Sequence, residues 1–181
     1  MTAFWSNFLF LCGTSAVTVA LSAFGLWLLS IRIRDVSIVD IAFPSIMLAL
    51  TTIAWLFGDG AEDRINLILG LVTVWALRMS WHLVRRKWGQ GEDPRYTKLR
   101  SWVTDDRQFL WLSLRQVFLL QGTVMWLTTL PVMAAASYSE PENLGVAAWL
   151  GTLFFLIGLW FETVADIQLT RFRDNPKNQT A

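Results

Sequence analysis

The chain has 181 residues, of which 54% are hydrophobic and only 16% charged, and its mean hydropathy is +0.44. A soluble domain carries about 25% charged residues, so too few are present here to cover a globule, and a single cysteine, Cys12, excludes an intrachain disulfide or a cysteine-based metal cluster. A net charge of +1 provides no field that would select nucleic acid. The expectation is an all-α polytopic membrane bundle, a single membrane domain over residues 1–181, with the abundant tryptophans and phenylalanines serving as interface anchors and packing residues.

Crossing about 30 Å of hydrocarbon takes roughly 20 apolar residues in a helix. The first expected span runs from Phe8 to Ser30 without a charge, and no basic segment precedes it as a signal peptide would require. The second runs from Ile41 to Phe57. Ser37 and Asp40, three apart and just before the apolar run, read as a capping box. The third, from about Ile65 to Val84, contains Arg78, and a basic loop follows it. The fourth runs from about Phe109 to Met133, with Arg115 inside and Pro131 near its end. The fifth runs from about Leu144 to Ala165 and carries Glu162, with Asp166 just beyond; the chain is then polar to Ala181. Twelve Lys and Arg residues fall in segments 31–40, 85–108 and 167–181, against Arg64 alone on the other side. The excess of positive charge on cytoplasmic loops then places the N-terminus outside and the C-terminus in the cytoplasm.

Charge inside a membrane costs about 2.5–3.5 kcal/mol at mid-helix and marks functional candidates. Arg78, His82 and Arg85 recur at i, i+4 and i+7, one helical face leading to the basic loop. Glu162, Asp166 and Arg173 recur at i, i+4 and i+11, again one stripe. Two such stripes suit a cavity open to the cytoplasm that holds an anionic ligand. Plainer readings stay open. Arg78 or Arg115 could form a structural ion pair with Glu162, His82 could be an interfacial histidine, and Arg85, Arg86 and Lys87 could serve topology and lipid headgroups. Gly89-Gln90-Gly91 follows no strand and is no dinucleotide fingerprint.

Four segments carry a family resemblance: Ser37-Ile38-Val39-Asp40; Leu77-Arg78-Met79-Ser80-Trp81-His82-Leu83-Val84-Arg85-Arg86; Gly91-Glu92-Asp93-Pro94-Arg95-Tyr96; and Glu162-Thr163-Val164-Ala165-Asp166-Ile167-Gln168 with Phe172 and Asn175-Pro176. In this order they resemble the bacterial membrane family of unknown function related to steroid 5-alpha-reductases. The resemblance implies an inner-membrane enzyme in which NADPH reduces a carbon–carbon double bond of a lipid-soluble, steroid- or isoprenoid-like enone. It implies cofactor contacts at Arg86, Arg95, Tyr96, Glu162, Asp166 and Arg173. Glu162 sits where the steroid enzymes have an Asn, Asp166 and Arg173 match their Asp and Arg, and Trp81 aligns near their proton-donating Tyr. The three arginines would meet the cofactor's phosphates, and Asp166 and Arg173 would border one cavity with the Arg85–Tyr96 segment. Catalytic residues stay unassigned and no metal is expected. Relatives of this kind continue into an Arg-His-Pro-bearing block, so a C-terminal segment supplied separately is also expected. The alternatives are a non-catalytic truncated paralogue or partner subunit, and a relative of the S-adenosylmethionine-dependent membrane methyltransferases. Membrane lipids are the expected surroundings.

Overall fold

In a computed structural model, which describes residues 1–87 and 91–175, the described chain is all helical. Gly89 and Gln90 of the Gly-x-Gly step, and Pro176 and Lys177, lie outside the described residues. The helices are α1 (Thr2–Ile33), α2 (Ile38–Phe57), α3 (Glu62–Lys87), the short α4 (Pro94–Arg100), α5 (Asp106–Ser137) and α6 (Val146–Asp174). All but α4 are long and apolar enough to cross a membrane, the build of an integral membrane protein. The five expected spans are all present; the first, third and fourth are longer at both ends, the second starts three residues earlier, and the fifth starts at Val146 and runs on to Asp174.

The chain divides into two compact units, Met1–Asn143 and Leu144–Ala181. In the first, α2 packs on α3, and α1 packs on both α5 and α2. Its core has two centres. One gathers Leu11, Leu50, Ala54 and Met133; the other gathers Val36, Val39, Tyr96, Leu99, Phe109 and Phe118 at the end where Lys87 and Arg95 lie, here termed the basic end. Two indoles tie α1 to α5 through backbone carbonyls: Trp27 Nε1 donates to Leu110 O at 3.2 Å and Trp126 Nε1 to Cys12 O at 3.0 Å. Inside hydrocarbon, where water is absent, such side-chain donors find protein acceptors.

Two irregularities shape the spans. Leu114–Leu119 winds as a π-helical turn within α5. The extra residue re-phases the helix, so that Val117, Phe118 and Met125 are buried while Arg115 is exposed. Pro44 sits inside α2, and it cannot donate to the carbonyl of Asp40 four residues earlier. The first turn of α2 is thereby loosened at the residue that proves most connected.

The far end of the first unit is closed by backbone. Gly60 N donates to Ala136 O at 2.7 Å, and a Cβ on Gly60 would lie 2.6 Å from that same oxygen, so only glycine permits the approach. Asn7 Nδ2 donates to Phe57 O at 2.9 Å, and the Arg64 guanidinium donates to Tyr138 O at 2.9 Å and Pro141 O at 2.7 Å.

Candidate functional site

The capping box expected at Ser37 and Asp40 does not form. Ser37 occupies the N-cap position of α2, but its side chain caps nothing. Stronger partners have taken it. The Ser37 hydroxyl donates to Asp35 Oδ1 at 2.6 Å and accepts from Lys87 Nζ at 2.8 Å and from the Asp93 backbone N–H at 2.9 Å. Asp40, freed from capping, accepts instead from three side chains on two other helices. Tyr96 Oη donates to Asp40 Oδ1 at 2.9 Å, Gln121 Nε2 donates to the same oxygen at 3.3 Å, and Arg95 Nη2 donates to Oδ2 at 2.9 Å. Gln121 Nε2 also reaches Tyr96 Oη at 3.2 Å. A phenol, a carboxylate and an amide, from α4, α2 and α5, meet at one point.

The segment from Gly91 to Tyr96 is thus bound onto the start of α2, more than 50 residues away in sequence. Lys87 Nζ bridges Asp35 Oδ2 at 3.1 Å and Gly91 O at 2.6 Å. Glu92 Oε1 accepts from Val36 N at 3.0 Å and pairs with Arg100 at 3.2 Å, and the Arg100 guanidinium carbon lies 3.8 Å from the centre of the Phe109 ring. Asp93 caps α4 through Arg95 N and pairs with Arg95 Nε at 3.0 Å; Arg86 Nη2 stands 3.8 Å from its other oxygen. Charges balance here, with Arg86, Lys87 and Arg95 set against Asp35, Asp40 and Asp93.

The surroundings act on the titrating groups. Burial, followed by the charge of Asp40 and its hydrogen bond, pushes the Tyr96 phenol well above its ordinary value, so it stays protonated. The Arg95 hydrogen bond leads in holding Asp93 below the usual carboxylate range, and Arg86 adds to it. Burial works against ionisation of Asp35, but its bonds from Ser37 and Lys87 outweigh burial and keep it low. Arg95 is held protonated by its bond to Asp93.

Of the residues expected to contact cofactor, the structure brings Arg86, Arg95 and Tyr96 together around Asp93 and Asp40. Glu162, Asp166 and Arg173 lie on α6, in the second unit, where Glu162 and Asp166 are half-buried and Arg173 is exposed. Arg78 is half-buried in the middle of α3, and Trp81 is exposed on the same helix. Sequence reasoning missed Gln121 as a participant and read Asp40 only as a cap. The available signals were a lone amide in an otherwise apolar span, and the position of Asp40 within the Ser37–Asp40 segment.

A family model matches residues 26–181, spanning α2 to α6 and all of this network. The chain belongs to the family described as "Protein of unknown function (DUF1295)". No curated protein and no solved structure matches it. What the DUF1295 match adds is extent: the segments joined at the basic end, and the stripe on α6, all lie inside the matched region.

Proposed function

We propose that this DUF1295 protein is an NADPH-dependent reductase of carbon–carbon double bonds in lipid-soluble enones, acting at the cytoplasmic face of a plasma membrane. The observation that carries the reading is the Tyr96 phenol, buried, kept protonated and set between Asp40 and Gln121. A phenol kept neutral is a hydrogen-bond donor suited to an enone, whose carbonyl oxygen gains negative charge as hydride reaches the β-carbon. On substrate entry the Tyr96 hydroxyl turns from Asp40 to that oxygen, and Gln121 Nε2 keeps the phenol oxygen in place. Arg95 balances the charge left on Asp40.

The residues present fit the cofactor by donor chemistry. Arg86 and Arg95 converge on Asp93 with side chains 39% and 66% exposed, so a diphosphate can compete for both guanidinium groups. NADPH, when bound, supplies the hydride. The resemblance of the four sequence segments to the steroid 5-alpha-reductase relatives supports the same assignment.

The test uses the full chain in lipid nanodiscs with NADPH and a hydrophobic 4-en-3-one as probe. The expected result is enone-dependent oxidation of NADPH, with Tyr96→Phe slowing turnover about 100-fold, the scale of one lost oxyanion donor. Arg86→Gln should weaken NADPH binding while leaving the turnover of saturated protein near wild type. A chain that binds no NADPH in fluorescence titration, or a Tyr96→Phe variant as fast as wild type, overturns the reading.

A further inference from the structure

A cavity of about 520 Å³ opens at the basic end between the last turn of α1 and the first turns of α5. That volume falls within the span of about 300–1,000 Å³ usual for ligand pockets. Its walls are of two kinds. Ile31 and Leu110 belong to membrane-spanning helices near their ends, Asp106 is the first residue of α5, Arg34 and Glu92 lie in the connections, and Arg100 ends α4. The cavity therefore straddles the level at which hydrocarbon gives way to headgroups. Ile31 and the neighbouring Leu28, Leu29 and Ile33 are exposed, so an apolar face leads away from it along α1.

The charges in this cavity are not all committed. Arg100 and Glu92 are paired with each other. Among the described residues, the side chains of Arg34 and Asp106 make no hydrogen bond or ion pair, though both line the same space. Arg34 is also the one non-glycine residue with positive φ among the described residues, at φ 55° and ψ 35°. It closes α1 in the left-handed conformation, with its N–H and that of Asp35 both returning to Ser30 O. Left-handed backbone is unfavourable for any residue with a Cβ, and glycine would close the helix without that strain. A strained arginine where glycine would fit points to a use for its guanidinium.

We propose that this cavity binds the headgroup of an aminophospholipid, with the phosphate on Arg34, the ammonium on Asp106, and the acyl chains running along the exposed apolar face of α1. A guanidinium matches phosphate in geometry and charge, and a carboxylate in the same cavity selects a zwitterionic headgroup over an anionic one. The site shares no residue with the Asp40–Tyr96–Gln121 cluster, so it stands or falls independently of the reductase reading.

Native mass spectrometry of the full chain, exchanged into detergent with short-chain phosphatidylethanolamine, phosphatidylglycerol or diacylglycerol, tests the proposal. Glycerophosphoethanolamine without acyl chains serves as the headgroup alone. Retention is expected in the order phosphatidylethanolamine, phosphatidylglycerol, diacylglycerol, with the free headgroup bound least. Asp106→Asn should remove the preference for phosphatidylethanolamine over phosphatidylglycerol. Arg34→Gly should weaken both phospholipids about tenfold, the scale of one charge-assisted hydrogen bond, with a Tm equal to or above wild type because the left-handed strain is relieved. That combination is one a merely structural arginine cannot produce. Phospholipid retention unchanged in Arg34→Gly, or selectivity unchanged in Asp106→Asn, overturns the proposal. Free headgroup held as well as the lipid also overturns it, since the site would then take a soluble zwitterion.

Discussion

The two ends of the first helical unit are closed by different chemistry. At the far end the acceptors are mostly backbone carbonyls: Ala136 O takes Gly60 N–H, Phe57 O takes Asn7, and Tyr138 O and Pro141 O take Arg64. At the basic end the acceptors are mostly carboxylates, with Asp35, Asp40, Glu92 and Asp93 held by Lys87, Arg95, Tyr96, Gln121 and Arg100. A backbone closure is stiff and does not titrate. A carboxylate closure can be opened by a proton, a competing anion or a substrate. The difference makes the far end scaffolding and the basic end the candidate for function, and it can be broken from either side.

The largest effect should come from the far end. Gly60→Ala places a methyl carbon 2.6 Å from Ala136 O, an atom held in place because it accepts the Gly60 N–H. Overpacking against backbone that cannot yield costs about 3 kcal/mol. Thermal unfolding in detergent should show a large fall in Tm. A Gly60→Ala protein as stable as wild type would mean that this closure is loose after all.

Next is Asp40. Asp40→Ala removes the acceptor shared by Tyr96, Gln121 and Arg95, and leaves a buried phenol without its partner, at a cost of about 2 kcal/mol. Asp40→Asn should cost less, since an amide oxygen still accepts from Tyr96. Hydrogen exchange should quicken in α4 and the start of α2 and stay unchanged around Gly60. Faster exchange at both ends would show that the two closures are one cooperative unit, and the contrast would be lost.

The scaffold was far more legible in sequence than the site. Span number followed from apolar run length alone, since lipid leaves a backbone little choice but helix. What periodicity could not supply was the identity of cross-helix partners. Ser37 and Asp40 carry the spacing of a capping box, and local preference would have used them so. Lys87, Asp93, Arg95 and Tyr96, arriving from 50 or more residues away, offered charged or buried partners that outcompeted the helix's own N–H groups. Gln121 was hidden for a related reason. Its inward position depends on the π-helical turn at Leu114–Leu119, and a 3.6-residue periodicity does not register the extra residue.

Proton concentration should separate the two ends without mutation. The folded-state pKa values of Asp35 and Asp93 lie below their ordinary 3.8, so their contribution to stability is complete above that value and is lost as pH falls through the lower folded-state values. Tyr96 has the opposite sign. Its folded pKa lies above the ordinary 10.0, so its contribution is present below 10.0 and is lost as pH rises through the raised value. Exchange protection at α4 should therefore be flat between these limits and fall on both sides. Gly60 and Ala61 depend on no such group and should lose protection only with global unfolding. Equal acid sensitivity at both ends would contradict the division.

The smallest expected effect is at Arg95, and it separates scaffold from use within the basic end itself. Its guanidinium joins Asp40 at 2.9 Å to Asp93 at 3.0 Å, yet its side chain is 66% exposed. Water screens such a pair, so Arg95→Gln should cost under about 1 kcal/mol of stability. If Arg95 serves mainly as a lock, that small loss is all the variant will show, and 1 M salt will reproduce it in the wild type. If Arg95 also meets phosphate, as proposed for the cofactor, NADPH affinity should fall about tenfold while Tm barely moves, because a charge-assisted bond to phosphate is worth more than a screened surface pair. Arg95→Lys then discriminates further. It keeps the charge but cannot bridge Asp40 and Asp93 with a planar fork, so it should restore part of the affinity and little of the geometry. Affinity unchanged in both variants would assign Arg95 to the closure alone.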